Sequence, residues 1–323
     1  NIDYRRAIEV TLRLLDVIPP TMELRVRELV ILGVRIASRR GLLRRDFAGR
    51  VYHRITGDIA LRKGFATFYT EIPAAYLLAH LAVLSLLGLV DRDLRDLTRE
   101  EARRVIDRIK SLKIGDLACG SGTLLTASYY SLMRLATALK YYHNLEDVNL
   151  EDIGRGLVEE SIYGVDALRY ASQITAINLA LMTLGNITRE NVYTIYLGYI
   201  PERNQAWLGS LELLNNARRV GGLLAYIEGG LRGVAERVTL EGTEGIFSIP
   251  DKFNMIIMNP PFTRPTYRGR REVPEERRGF FGFMADRDTR ERLRERYKDV
   301  IENITNELRK IATVSYTHLR AHE

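Results

Sequence analysis

Cysteine is nearly absent: Cys119 is the only one in 323 residues, so no internal disulfide framework can form. No amino-terminal apolar segment with a cleavage site precedes the first charged residues, and a reducing cytoplasm is the expected setting. Long hydrophobic runs are missing too. The longest, Ala74 to Val90, is interrupted by His80 and Ser85 and is short for a membrane span, which predicts a buried helix and no membrane association. No internal repeat or low-complexity tract is present, which excludes a repeat array. Histidine is scarce, and two of the five, His318 and His322, fall in the last six residues. They belong to a tail, VSYTHLRAHE, that resembles translated library-adapter sequence and is set aside from functional reasoning.

What is present is an apolar content of 46%, enough to bury a full core, in a length that suits one large domain or two smaller ones. A formal charge of +7 favours a polyanionic partner, although arginines and acidic residues alternate along helices as on any solvated surface. Residues 1–62 carry apolar positions at helical spacing, broken at Pro19 and Pro20, and read as an amino-terminal helical region. A run GFATFYT (Gly64 to Thr70) follows, then the long apolar helix and a charged helix from Thr98 to Ser111.

Beyond it the periodicity changes. Lys113 to Leu117, Ser161 to Val165, Val192 to Leu197 and Asn254 to Met258 read as buried parallel strands, alternating with helices at Thr123 to Tyr141 and Leu168 to Leu184. That alternation predicts a doubly wound α/β sheet, in which ligands sit at the carboxyl ends of the strands. The Arg-rich segment Thr263 to Gly279 and an amphipathic helix from Asp286 to Ile311 come next. Four strands are few for such a sheet, so the carboxyl-terminal strands are expected to be missing from a truncated catalytic domain spanning 63–313, with 314–323 a non-native tail.

Three constellations fall at predicted strand ends. In DLACGSG (Asp116 to Gly122) two glycines let the backbone turn sharply and approach a ligand, while the following helix offers free N–H groups to a carboxylate. Cys119 within it reads as a small packing residue, since no base adjoins it in sequence. Asp166, ending IYGVD, can accept hydrogen bonds from both ribose hydroxyls of a nucleoside cofactor, or can cap the next helix. In NPPF (Asn259 to Phe262) the prolines fix the backbone, so an Asn oxygen and a rigid carbonyl form two acceptors for an amino group, with Phe262 as a stacking face.

The order GFATFYT, DLACGSG, YGVD, NPPF resembles the N6-adenine DNA methyltransferases of restriction-modification systems, with the cofactor region ahead of the catalytic motif. The likeness runs from Val51 to Phe262. It implies a Rossmann-like methyltransferase sheet in which Tyr69 and Thr70 contact the methionine moiety of S-adenosyl-L-methionine. It further implies that Asp116, Ala118, Cys119, Gly120, Ser121 and Gly122 hold the amino-acid end and that Asp166 and Ala167 hold the ribose. Ser210, in GSL after the third strand, would lie beside the adenine. Asn259, Pro260, Pro261 and Phe262 would form the catalytic site, acting on an adenine flipped out of double-stranded DNA, with no metal. Glu71 stands where the family often has proline, and Asn254 where it often has an acidic residue.

The partners implied are double-stranded DNA and a specificity or restriction subunit or domain. Interleaved with Tyr267, Phe280 and Phe281, the arginines at 264, 268, 270, 271, 277 and 278 suit strand phosphates or a solvated loop alike. Methylation of a protein glutamine or of RNA uses the same acceptor geometry, and a catalytically silent DNA-binding subunit would keep the fold without needing NPPF.

Overall fold

The computed structural model describes residues 70–183, 187–201, 204–214, 235–239, 242–244, 249–250, 252–260, 279–280, 283–284 and 286–311. The amino-terminal helical region, Tyr69, Pro261, Phe262, the segment 263–278 and the tail lie outside the described residues.

The first element, α1 (Ile72–Leu87), starts with proline in its first turn and stops at Gly88, whose φ of 70° lets its N–H return to the helix carbonyls. Ala75, Ala79, Val83 and Leu87 form its buried stripe against α3 (Thr123–Tyr142). The expectation of a wholly buried helix needs correction. Leu77, Leu78 and Leu81 are each about half exposed, because a 16-residue helix with apolar residues all round has only one face on α3. Helix α2 (Arg99–Ser111) opens on a reciprocal capping box between Thr98 and Glu101 and buries Ala102, Ile106 and Ile109.

Six strands form the main sheet: β1 (Ile114–Asp116), β2 (Ile162–Asp166), β3 (Asn191–Ile195), β6 (Ala235–Thr239), β7 (Gly242–Glu244) and β8 (Met255–Ile256), in the order β7-β6-β3-β2-β1-β8. The four expected strands are mutually parallel, with Ile114 facing both Ile162 and Met255, and Asp166 facing Thr194. β6 runs antiparallel to β3 and β7 antiparallel to β6, so the sheet gains two strands that the hydropathy pattern did not suggest. The third strand ends at Ile195; Leu197 already belongs to a separate hairpin, β4 (Leu197–Ile200) with β5 (Gln205–Leu208).

Alternation along the strands splits the core between two faces. Ile162 and Val192 join the large cluster beneath α1, α2, α3 and α5 (Arg169–Met182). Tyr163, Val165, Tyr193 and Ile195 point the other way, onto Trp207 of the hairpin and Leu213 after it. Between β1 and β2 the chain passes through α4 (Leu150–Gly156), capped by the Asn149 side chain. After β8 come the short pair β9 (Gly279–Phe280) and β10 (Phe283–Met284), then α6 (Arg287–Ile311), whose Leu293 and Val300 pack on Leu208.

The chain is thus α/β with a four-stranded parallel core, and the carboxyl ends of β1, β2, β3 and β8 share one edge. Among the described residues no helix is long and apolar enough to cross a membrane.

Candidate functional site

The β1–α3 connection departs sharply from strand geometry. Gly120 and Gly122 have φ of 54° and 80°, values that disfavour any side chain. A Cβ on Gly122 would also stand 2.9 Å from Thr175 of α5, so the loop is seated as deeply as its glycines permit. Gly164 of β2 serves the same closeness from below, since a Cβ there would meet Leu125 at 3.0 Å and the Cys119 sulfur at 3.3 Å.

The loop is braced residue by residue. Cys119 N–H donates to the Val165 carbonyl (2.9 Å) and Gly122 N–H to the Cys119 carbonyl (2.7 Å). Ala118 N–H donates to Asp116 (3.0 Å) and Gly120 N–H to Asp166 (2.8 Å). From α5, Thr175 donates to the Gly120 carbonyl and Asn178 to the Ser121 carbonyl, each at 2.8 Å. Because a trans peptide sends its N–H opposite its carbonyl, Thr175 turns the Ser121 N–H away from α5. That N–H finds no acceptor among the described residues.

Asp166 braces backbone on two sides, while α5 itself starts at Leu168 with no side-chain cap bond. One oxygen accepts from Leu168 N–H (2.8 Å) at the start of α5, and the other from Gly120 N–H of the glycine loop. Each carboxylate oxygen keeps acceptor capacity beyond one bond. Ala167 follows it and lies 3.5 Å from the Cβ position of Gly209, whose φ of 59° turns the chain into the 3₁₀ turn Gly209–Leu214. Ser210 in that turn donates its hydroxyl to the Leu117 carbonyl, tying it to the strand end that carries Asp116.

Both carboxyls at these strand ends are held towards their neutral forms. Burial pushes the Asp116 carboxyl up to about 8, the Ala118 N–H offsets part of this, and Asp166 adds repulsion. Asp166 is raised by burial against three backbone N–H groups that favour its charged form. The buried Cys119 thiol is pushed up by burial and by both carboxylates, the opposite of an activated nucleophile.

On the other side of β1, Asn259 and Pro260 follow the end of β8. Asn259 Nδ2 donates to the Thr70 hydroxyl at 3.2 Å, so residues 189 positions apart meet where the polypeptide enters α1. Asn254, at the foot of β8, accepts from Lys113 N–H (2.7 Å) and closes the strand against β1. Gly115 makes room there, since a Cβ would stand 2.9 Å from the Phe253 ring. Tyr69, Pro261 and Phe262 lie outside the described residues.

Several bracing residues escaped the sequence reading. Thr175 and Asn178 are polar positions three apart on a helix whose neighbours are apolar, a spacing that marks one buried face once the helix is placed. Glu212 is wholly buried, accepts from Leu208 N–H, and is gripped by two guanidinium nitrogens of Arg296 at 2.9 and 2.6 Å, which locks α6 to the turn carrying Ser210. No protein-family model matches the chain, and no curated protein matches it.

Proposed function

We propose that this chain is the catalytic core of an S-adenosyl-L-methionine-dependent amino-group methyltransferase with a Rossmann-like fold, acting on adenine N6 in double-stranded DNA. The observation that carries the reading is the order of groups along one sheet edge: the Ser210 turn beyond β3, Asp166 on β2, the glycine loop on β1, then Asn259 after β8. That order parallels adenine, ribose, amino-acid end and methyl acceptor.

The residues fit the cofactor. Burial holds Asp116 and Asp166 towards their neutral forms, a cost that a ligand bearing an ammonium and a sulfonium would offset, and the Ser121 N–H suits the ligand's carboxylate. Asp166 has acceptor capacity beyond its backbone partners, which suits a ribose hydroxyl. Held by Asp166 and the glycine loop, S-adenosylmethionine would supply an electrophilic methyl to the acceptor nitrogen, with its sulfur as the leaving group and the displaced amine proton passing to solvent.

The protein's own contribution is alignment. The Asn259 side-chain oxygen and the Pro260 carbonyl accept the two amine hydrogens, concentrating lone-pair density on nitrogen. Phe262 offers the stacking face for a base extruded from the duplex at a cost of a few kcal/mol. The positive charge of the whole chain suits the phosphates of DNA. A specificity or restriction subunit or domain, and a cytoplasmic setting, belong to the same proposal. Calorimetric titration tests the cofactor half: S-adenosylmethionine binds and 5′-methylthioadenosine, lacking the amino-acid end, binds more weakly. Absence of binding by either ligand overturns the reading.

A further inference from the structure

Thr70 closes the run GFATFYT, and its resemblance to the methyltransferase motif implies a contact with the cofactor's methionine moiety. Its observed partner is different. The hydroxyl oxygen receives a hydrogen from Asn259 Nδ2 at 3.2 Å, and both residues are partly buried. A carboxamide is planar, with nitrogen and oxygen on opposite sides of Cγ, so a partner at Nδ2 determines where Oδ1 stands. With Nδ2 committed to Thr70, Oδ1 is left for a donor on the other side. A hydroxyl could also donate to Oδ1 of a turned-over amide, but that orientation would present a donor to an incoming amine, and two donors facing each other repel, so the observed orientation is the productive one.

We infer that Thr70 is a positioning residue for the amino-group acceptor, holding the Asn259 amide in the orientation that presents Oδ1 to the substrate nitrogen. This rests on the methyltransferase reading and adds a role on the acceptor side. Asn259 needs such a partner more than the cofactor loop does. β8 has two residues, pairs with β1 alone among the described residues, and is followed by Pro260, which has no N–H to anchor the backbone. Thr70 lies two residues ahead of α1, which packs on α3, so the hydroxyl is delivered from the entry to a packed helix.

The test uses the full 323-residue chain with Thr70→Val, which keeps the shape and removes the hydroxyl, and Thr70→Ser, which restores it. Three quantities are read: cofactor affinity by calorimetry, turnover at saturating cofactor, and the Asn259 side-chain amide resonances, identified by their loss in Asn259→Ala. Thr70→Val is expected to lower turnover roughly 10- to 100-fold, as for a misoriented reacting group. Cofactor affinity should stay within about twofold, since a positioning role touches the acceptor and not the cofactor. The Asn259 amide resonances should shift and exchange faster in Thr70→Val, and Thr70→Ser should restore all three readouts. Weakened cofactor binding with turnover intact overturns the inference and returns Thr70 to the cofactor, as does a serine variant that fails to rescue. A wild-type chain that binds no S-adenosylmethionine overturns the methyltransferase reading and this inference with it. A wild-type that transfers methyl while Thr70→Val turns over normally overturns this inference alone.

Discussion

At the ends of β1 and β2, side chains of Asp116, Asp166, Thr175, Asn178 and Ser210 each hold a backbone group of the glycine loop or its flanks. At the end of β8, Asn259 has a single side-chain bond among the described residues, to Thr70, and Ile256 and Met258 remain substantially exposed. The first region is braced from several elements, and the described part of the second is held by one side-chain contact. Rigid binding groups beside a less constrained acceptor site suit a protein that holds one small ligand constantly and a large partner transiently.

The sharpest way to break the braced region is to fill it. Gly122→Val places a side chain at φ 80° and within 2.9 Å of Thr175, so it should cost roughly 3 kcal/mol or more and abolish cofactor binding. Thermal melting and calorimetry check it together. Retained binding would mean the loop has more slack than the geometry allows.

The next prediction turns on Asp116. Its folded carboxyl sits at about 8 against 3.8 for the free group, so between those values the folded state holds a proton that the unfolded state has lost. The stability this group contributes is therefore full below 3.8 and falls as pH rises towards 8, by at most about 1.4 kcal/mol per pH unit. Asp116→Asn should flatten that slope and raise the melting temperature at pH 8. A cationic ligand acts in the opposite sense, so cofactor affinity should rise over the same interval. An unchanged melting profile in the variant would show that Asp116 is not desolvated.

Asp166→Ala removes an acceptor shared by Gly120 and Leu168 and should weaken cofactor affinity by about 1.5 to 3 kcal/mol. Equal affinity in the titration would remove Asp166 from the ribose role. The smallest effect lies outside both regions. Gly156 has helical φ and open space around its Cβ position, so Gly156→Ala should stabilise by about 0.5 to 1 kcal/mol and leave binding unchanged. Any change in binding there would mean that the site feels stability at large and not its local bracing.

Much of this contrast is visible in the sequence, for identifiable reasons. A glycine needed at positive φ after a buried strand leaves a trace that composition cannot hide, and an apolar run such as MIIM marks a parallel strand even when only Met255 and Ile256 pair. The antiparallel strands β6 and β7 left no such trace, because AERVT mixes charge with apolar positions and its pairing to β3 is decided by tertiary contact. Thr175 and Asn178 look like polar positions on any helix until burial gives them their carbonyl partners. The Thr70–Asn259 bond joins two motifs that the sequence could only place in order, never in contact.

The central claim is methyl transfer to an amino group, and one assay meets it directly. The protein is given tritiated S-adenosylmethionine with duplex DNA, RNA and a glutamine-bearing peptide in parallel, alongside Asn259→Ala, which should bind the cofactor normally while losing transfer. Label on adenine N6 of DNA, absent from the Asn259 variant, is the predicted result. Label confined to RNA or peptide would contradict the DNA assignment and leave the amino-methyltransferase reading in place, and label that survives Asn259→Ala would contradict the account of the site itself.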